Sequence, residues 1–427
     1  MKRLVSICCQ LWSWDAIGPR KNTLSDIRPG SLRSHDNATA GTENTTIQPV
    51  PSKEIVVVGA GVIGLTTAFA LTQRGHTVTI FDPFPGRGAS FVAAGMIAPM
   101  TEAGHGEESL IALSLEAARR WPAHAHEIDS RTSYHVGLNR SGTLLVAFDA
   151  NDRARIRSML PLYEALGLAS EWHGSGSLRA LEPLLAPGVR GGIEAPGDIQ
   201  VDNRQLLSSL TDALRRAGVH IVRERVTGVL SNGAKTTGVA TPHQRYDAST
   251  VVLCAGYDVS GIEGLPVHDE IVIRPVKGQI LRLFQRDPRL RLRFSVRALV
   301  AGSAIYLVPR SSGKVVVGAT VEEQGVSFSA TAGAAYSLLR DAINVVPAIA
   351  EAEIEGFEVG LRPATRDNAP IIGASSLEGL AYALGGYRHG VLLSPVVADC
   401  IVELIESGTV PEIAWPFSPE RFRVHHG

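Results

Sequence analysis

Six residues in a row, Gly59-Ala60-Gly61-Val62-Ile63-Gly64, carry the plainest chemistry in the chain, together with Asp82. A G-x-G-x-x-G run between a strand and a helix is a phosphate-binding turn. Its first glycine permits the tight bend, the second brings backbone amides up to a pyrophosphate, and the third lets the helix pack on the strand. The unpaired amides and partial positive charge of the helix start then face the phosphates. Asp82 follows Gly64 by 18 residues, where a carboxylate can accept from both hydroxyls of an adenosine ribose. An unphosphorylated ribose is implied, so FAD or NAD rather than NADP.

A βαβ unit must present these residues, and the sequence supplies one. Ile55-Val56-Val57-Val58 reads as a buried strand, Leu65, Phe69 and Leu71 as a helix face, and His76 to Phe81 as a second β-branched strand. The next segment is not another crossover. Residues 83–100 hold Gly86-Arg87-Gly88-Ala89-Ser90 and Ala93-Ala94-Gly95-Met96-Ile97-Ala98-Pro99. Small side chains in series let the backbone lie against a large planar group, which a flavin needs and a nicotinamide at the sheet edge does not; the segment favours FAD.

Farther along, helices are expected near 107–130, 151–167 and 203–217, with strands at 142–148, 219–223, 225–230 and 250–254. Residues 270–283, 294–309 and 314–319 read as long antiparallel strands with turn signals such as Ser311-Ser312-Gly313. A helix near 331–350, short strands at 370–373 and 380–384 and an apolar helix at 391–406 complete the chain. The change of texture predicts an α/β, Rossmann-like FAD-binding domain with an inserted antiparallel-sheet domain of α+β type.

Composition excludes several alternatives. The 427 residues are 44% hydrophobic and 19% charged, a globular profile of two to three domains. A net charge of -1 provides no overall field for nucleic acid or an acidic membrane. No apolar run reaches the roughly 18–20 residues that span a bilayer, and a cytoplasmic enzyme is expected. Four cysteines without a C-x-x-C pair suggest neither a disulfide framework nor zinc, so no metal is expected. Residues 1–52 have mixed charge, many Ser, Thr, Asn and Pro, and no sustained period, and are expected to be a disordered extension. Lys2-Arg3 and Leu4 to Trp12 imitate a signal peptide, but the run is short, holds Gln10 and lacks a small-x-small cleavage site. A start codon near Val50 would equally explain the extension.

From about Glu54 to about Ile405 the chain resembles the D-amino-acid oxidase superfamily of flavoenzymes, and within it the glycine oxidases of the thiamine pathway. The motifs are the Gly59–Gly64 turn with Asp82, the Ala93–Pro99 run and Arg274-Pro275-Val276-Lys277-Gly278-Gln279. In the same order come Ile305-Tyr306-Leu307-Val308-Pro309-Arg310, Gly318-Ala319-Thr320, Gly360-Leu361-Arg362-Pro363 and Gly386-Tyr387-Arg388-His389-Gly390 through Pro395. The resemblance implies non-covalent FAD in a domain of 53–135, 198–265 and 355–415, capped by a substrate domain of 136–197 and 266–354. Cofactor contacts are then expected from Gly59, Gly61, Val62, Ile63, Gly64, Asp82, Ser90, Ala94, Gly95, Met96, Val226 and Gly256. Gly386, Tyr387, Arg388, His389, Gly390, Val391 and Leu392 complete that set.

The resemblance also implies that Arg362 holds a substrate carboxylate, that Tyr306 lends its hydroxyl or covers the site, and that Arg388 is a second substrate-side arginine. A planar guanidinium matches a carboxylate with two parallel hydrogen bonds and keeps its charge. Hydride loss from a neutral amine needs no side-chain base, so His389 is read as a backbone contributor. Helix 391–406 would turn its positive end toward the reduced flavin, with Pro395 in its first turn. Cys254 and Cys400 lie in apolar runs and read as core residues. Ala304 and Val321 stand where some glycine oxidases carry His and Met, which would admit a larger substrate. The activity so implied is oxidation of glycine, sarcosine or small D-amino acids by molecular oxygen, in a chain that could self-associate. A D-amino acid dehydrogenase and a flavin protein without amine chemistry are the alternatives.

Overall fold

The structure, a computed structural model, describes residues 53–168 and 170–423; the extension expected at 1–52 lies outside them. Strand Glu54–Val58 is flanked by the parallel strands Thr77–Phe81 and Thr250–Leu253. His220–Val222 and Leu380–Leu384 extend the sheet in parallel, and Ile371–Ala374 adds an antiparallel edge, making six strands. Alternation along each strand feeds two cores. Ile55, Val57, Val78, Ile80 and Val252 pack beneath helices Val62–Gln73, Glu108–Asp129, Asn203–Arg216 and Gly390–Ser407. Val56, Val58, Phe81, Val251 and Leu253 pack against Val229, Val239 and Tyr246 of a small three-stranded sheet on the other side. With both faces covered, the strands read as continuous apolar runs rather than as alternating ones.

The second sheet has eight strands, in the order Glu353–Ala364, Arg274–Phe284, Lys314–Gly318, Ser303–Pro309, Ser295–Val300, Thr143–Ala147, Gly191–Ala195 and Trp172–His173. All neighbours are antiparallel except Ser295–Val300 against Thr143–Ala147. Leu281, Leu283, Val296, Leu307, Val315 and Val317 point to one face and bury helix Ala332–Val345. The opposite face meets residues 92–103, through Ile280, Val308 and Val316 beside Ala94 and through Ala147 and Leu299 beside Met100 and Ala103.

Three sequence expectations change. Strand Glu353–Ala364 is absent from the pattern reading, although it carries Arg362. It pairs along its full length with Arg274–Phe284, so the eight-stranded sheet runs to Ala364, past the boundary expected at 354. The single strand expected at 294–309 is a hairpin turning at Ala301 (φ 51°) and Gly302 (φ 80°). Buried Asp152 holds that turn, accepting from Ala301 N at 3.0 Å and Gly302 N at 2.9 Å. The helix expected at 151–167 is two, Ala150–Arg157 and Leu160–Ala165.

Gly64 sits where any side chain would collide with the carbonyl of Gly59. Gly64→Ala is therefore expected to destabilise the βαβ unit by about 1–3 kcal/mol, read as a lower denaturation midpoint of the apoprotein; an unchanged midpoint would refute the packing account.

Candidate active site

Five strands of the first sheet run parallel, so the segments leaving their carboxyl ends share one edge. The Gly59–Gly64 turn, Asp82, Val226, Gly256 and Gly386–Leu392 all follow such ends. Gly59 has φ 106°, and a Cβ there would press on the carbonyl group of Cys254. Gly61 caps helix Val62–Gln73, and Val62 N donates to Ser90 Oγ at 3.0 Å. Both Asp82 carboxylate oxygens hold loop amides, Oδ2 that of Ala60 and Oδ1 that of Phe84, each at 2.7 Å. Val226 is buried with Phe81, Val229 and Val251.

Residues 89–102 cross from this edge to the eight-stranded sheet, and side chains from both sides fasten them. Gly95 (φ 72°) accepts from Val201 N at 2.9 Å, and a side chain on it would strike the Val201 carbonyl. Arg310 donates to Ala94 O at 2.6 Å; burial lowers its pKa to about 10, with Asp202 pulling the other way. Arg282 reaches Phe91 O and Val92 O at 3.0 and 3.1 Å and pairs with Glu358. Asn203 donates to Ser90 O and Phe91 O, each at 2.8 Å. Buried Asp198 accepts from Met100 N at 3.0 Å and Thr101 N at 2.7 Å; burial pushes its pKa up to about 6 against those bonds.

On the facing sheet, register and alternation put Arg362, Gly278, Gly318, Tyr306 and Arg297 on one face. The Arg362 guanidinium lies flat on Gly278, where a Cβ would be 2.5 Å from it, and donates to Thr320 O at 3.0 Å. The Tyr306 ring lies on Gly318 in the same way, its Cζ 2.6 Å from where a Cβ would stand. The strand order is 353–364, 274–284, 314–318, 303–309. The two side chains therefore lean toward each other from opposite sides, over two glycines that leave the space open. Burial raises the Tyr306 pKa while the charge of Arg362 opposes it, so the phenol keeps its proton and can donate.

A protein-family model described as FAD dependent oxidoreductase matches residues 54–404. The chain belongs to this family. It is 31% identical over 379 residues to the bifunctional protein ThiO/ThiG of Synechocystis sp., a match that covers 87% of this chain and 54% of that one. The chain thus spans about half the length of the first such relatives. It is 29% identical over 371 residues to the glycine oxidase of Geobacillus kaustophilus, covering 86% of this chain and 97% of that one. The crystal structure of glycine oxidase from Geobacillus kaustophilus superposes with a TM-score of 0.79 at 28% identity, over 88% of this chain and all of that one.

The residues present fit FAD. A side chain at Gly59 or Gly64 would meet backbone, the amide-bearing end of helix Val62–Gln73 opens at Gly61, and Gly256 and Gly390 face open space. This oxidoreductase also has charged groups that fasten the segments around the site and that the sequence pattern does not single out: Glu102, Asp198, Arg282, Arg297 and Glu358. Arg310 lies within the Ile305–Arg310 motif, yet the motif alone gives it no role. None of these side chains has a motif of its own, and each becomes visible only when the two sheets face each other. Arg388 is exposed and lies just ahead of helix Gly390–Ser407. His389 contributes a buried side chain as well as backbone, with Nδ1 3.1 Å from Glu102. Pro395 is sixth in that helix, not in its first turn, and the Ser394 hydroxyl donates at 3.0 Å to the Val391 carbonyl that lacks its amide partner. Cys254 and Cys400 are buried, and burial raises both thiols to about 12. Among the described residues, no cluster suits a metal and no helix is long and apolar enough to cross a membrane.

Asp82→Ala removes the acceptor of two loop amides. Apoprotein stability is expected to fall by about 2–3 kcal/mol, measured by urea unfolding, and equal midpoints would show that the loop holds itself.

Proposed function

We propose that this oxidoreductase oxidises glycine, and with it sarcosine and small D-amino acids, to the imine, which water converts to the oxo acid and ammonia. One observation carries the reading: a guanidinium and a protonated phenol converge over the glycines at 278 and 318, facing residues 92–96. This arrangement matches a carboxylate, which Arg362 would take through paired N–H donors and Tyr306 through its hydroxyl. The two glycines seat the guanidinium and the ring close to the sheet, which suits a small substrate.

Gly59, Gly61, Val62, Ile63 and Gly64 would hold the pyrophosphate of FAD, with Ser90, and Asp82 its ribose. Ala94, Gly95, Met96, Val226 and Gly256 would border the cofactor on the edge they share, and Gly386 to Leu392 would close the far side. FAD held there would supply a two-electron acceptor for the amine and a means of passing those electrons to oxygen. The chain contributes orientation. Fixing the carboxylate at Arg362 and Tyr306 sets the direction of the α-carbon, and alignment of this kind is worth several kcal/mol of barrier. The Arg282, Asn203 and Arg310 contacts keep the opposite wall still. Relatives named ThiO and glycine oxidase support this substrate class and a role in supplying the imine for thiazole formation in thiamine synthesis.

The direct test is a peroxide assay of FAD-loaded protein with glycine, sarcosine and a panel of D- and L-amino acids. Peroxide with glycine is expected; reduction of a dye without peroxide would make the protein a dehydrogenase. Arg362→Ala should retain FAD and raise KM for glycine by a hundredfold or more, from loss of about 3 kcal/mol of charged hydrogen bonding. Tyr306→Phe should cost about tenfold. Gly278→Ala should displace the guanidinium and behave as a milder Arg362→Ala. An unchanged KM in Arg362→Ala would end the assignment.

A further inference from the structure

Arg388 is joined to the sheet face by a run of side chains. Arg297, the register partner of Tyr306, donates to Glu102 Oε1 at 2.5 Å. The other oxygen of Glu102 is 3.1 Å from His389 Nδ1. On the far side of the imidazole, Nε2 accepts from Arg388 Nε at 3.2 Å. The two ring nitrogens of His389 therefore face different groups, Nδ1 the Glu102 carboxylate and Nε2 the Arg388 guanidinium. His389 is 5% exposed and the Glu102 side chain 10%. Burial alone would raise the Glu102 pKa, but Arg297, His389 and Arg388 outweigh it and hold the carboxyl well below its usual range. The main chain leading to Glu102 is fixed by Asp198 at Met100 and Thr101.

We infer that Glu102 and His389 are positioning residues that set the orientation of the Arg388 guanidinium at the site. This rests on the proposed function and takes Arg388, the second substrate-side arginine that the family resemblance implies, to face the same amino-acid substrate. The Arg297–Glu102 pair ties the device to the strand beside Tyr306, so both sides of the site share one frame of reference. His389 here does no proton transfer. It passes a position from a buried carboxylate to an exposed cation, using one ring nitrogen for each.

The test uses FAD-loaded protein, glycine as substrate, and acetate as a carboxylate probe titrated by its perturbation of flavin absorbance. His389→Leu should raise KM for glycine and Kd for acetate about tenfold each while kcat stays within about twofold. His389→Gln, which keeps one donor and one acceptor, should restore most of the loss. In an Arg388→Ala background, His389→Leu should add less than about twofold, since the group it positions is gone. If the two effects multiply instead, or if His389→Leu changes nothing while Arg388→Ala weakens both ligands, the positioning role is overturned and the substrate reading of Arg388 stands. If Arg388→Ala itself leaves both constants unchanged, that reading falls and the inference with it. Should the leucine variant not fold, Glu102→Gln keeps the volume and faces the same criterion of non-additivity with Arg388→Ala.

Discussion

The backbone between residues 90 and 101 is held both by side chains and by a short pairing of Met96–Ile97 with Ile199–Gln200, and the site depends on that constraint. Arg282 and Arg310 reach it from the eight-stranded sheet, Asn203 from a helix of the FAD-binding fold, and Asp198 from a turn between strands. Buried peptide groups must find partners, and those outside that pairing lean on side chains as well as on local turns. Four charged or amide side chains supply them, and the Ser90 hydroxyl ties the segment to the helix start. Because the partners come from the eight-stranded sheet and from a helix that packs on the first sheet, the segment also ties those two parts together. The two walls of the proposed site are thus parts of one hydrogen-bonded system.

The contrast between the two ends of the site is chemical. At the end proposed for the nucleotide the backbone predominates, through glycines, helix amides and one aspartate. At the end proposed for the substrate the backbone recedes, and long side chains lie on the space that glycine leaves. The same residue type serves opposite purposes: Gly59 and Gly64 allow main chain to touch main chain, whereas Gly278 and Gly318 give a guanidinium and a ring a flat seat.

Much of this is legible in the sequence. The βαβ unit, Asp82 and the small-residue segment can be read from local pattern because their functions are local, each needing only a strand, a turn and a helix start. Arg362 and Tyr306 come from family motifs, and their convergence depends on strand order, which no local pattern encodes. Strand Glu353–Ala364 escapes notice because its first half is exposed and carries three glutamates, so its apolar residues do not alternate cleanly. The hairpin at Ala301-Gly302 is hidden because Asp152, some 150 residues away, stabilises a turn that alanine would not choose by itself. Glu102 and Arg297 are invisible for the same reason, since a buried ion pair between distant segments leaves no period in the sequence.

The parallel seam between Thr143–Ala147 and Ser295–Val300 has a bearing on how the protein is made. It joins pieces far apart in the chain, with the helix Asn203–Arg216 and two of the six strands of the first sheet lying between them. Strands 143–147, 172–173 and 191–195 therefore leave the ribosome as a small ribbon whose 143–147 border waits for a partner not yet synthesised. Closure of that border is a late, non-local event with a large entropic barrier. Yield in a heterologous host should accordingly be governed by translation speed and chaperone supply more than by the stability of the finished fold.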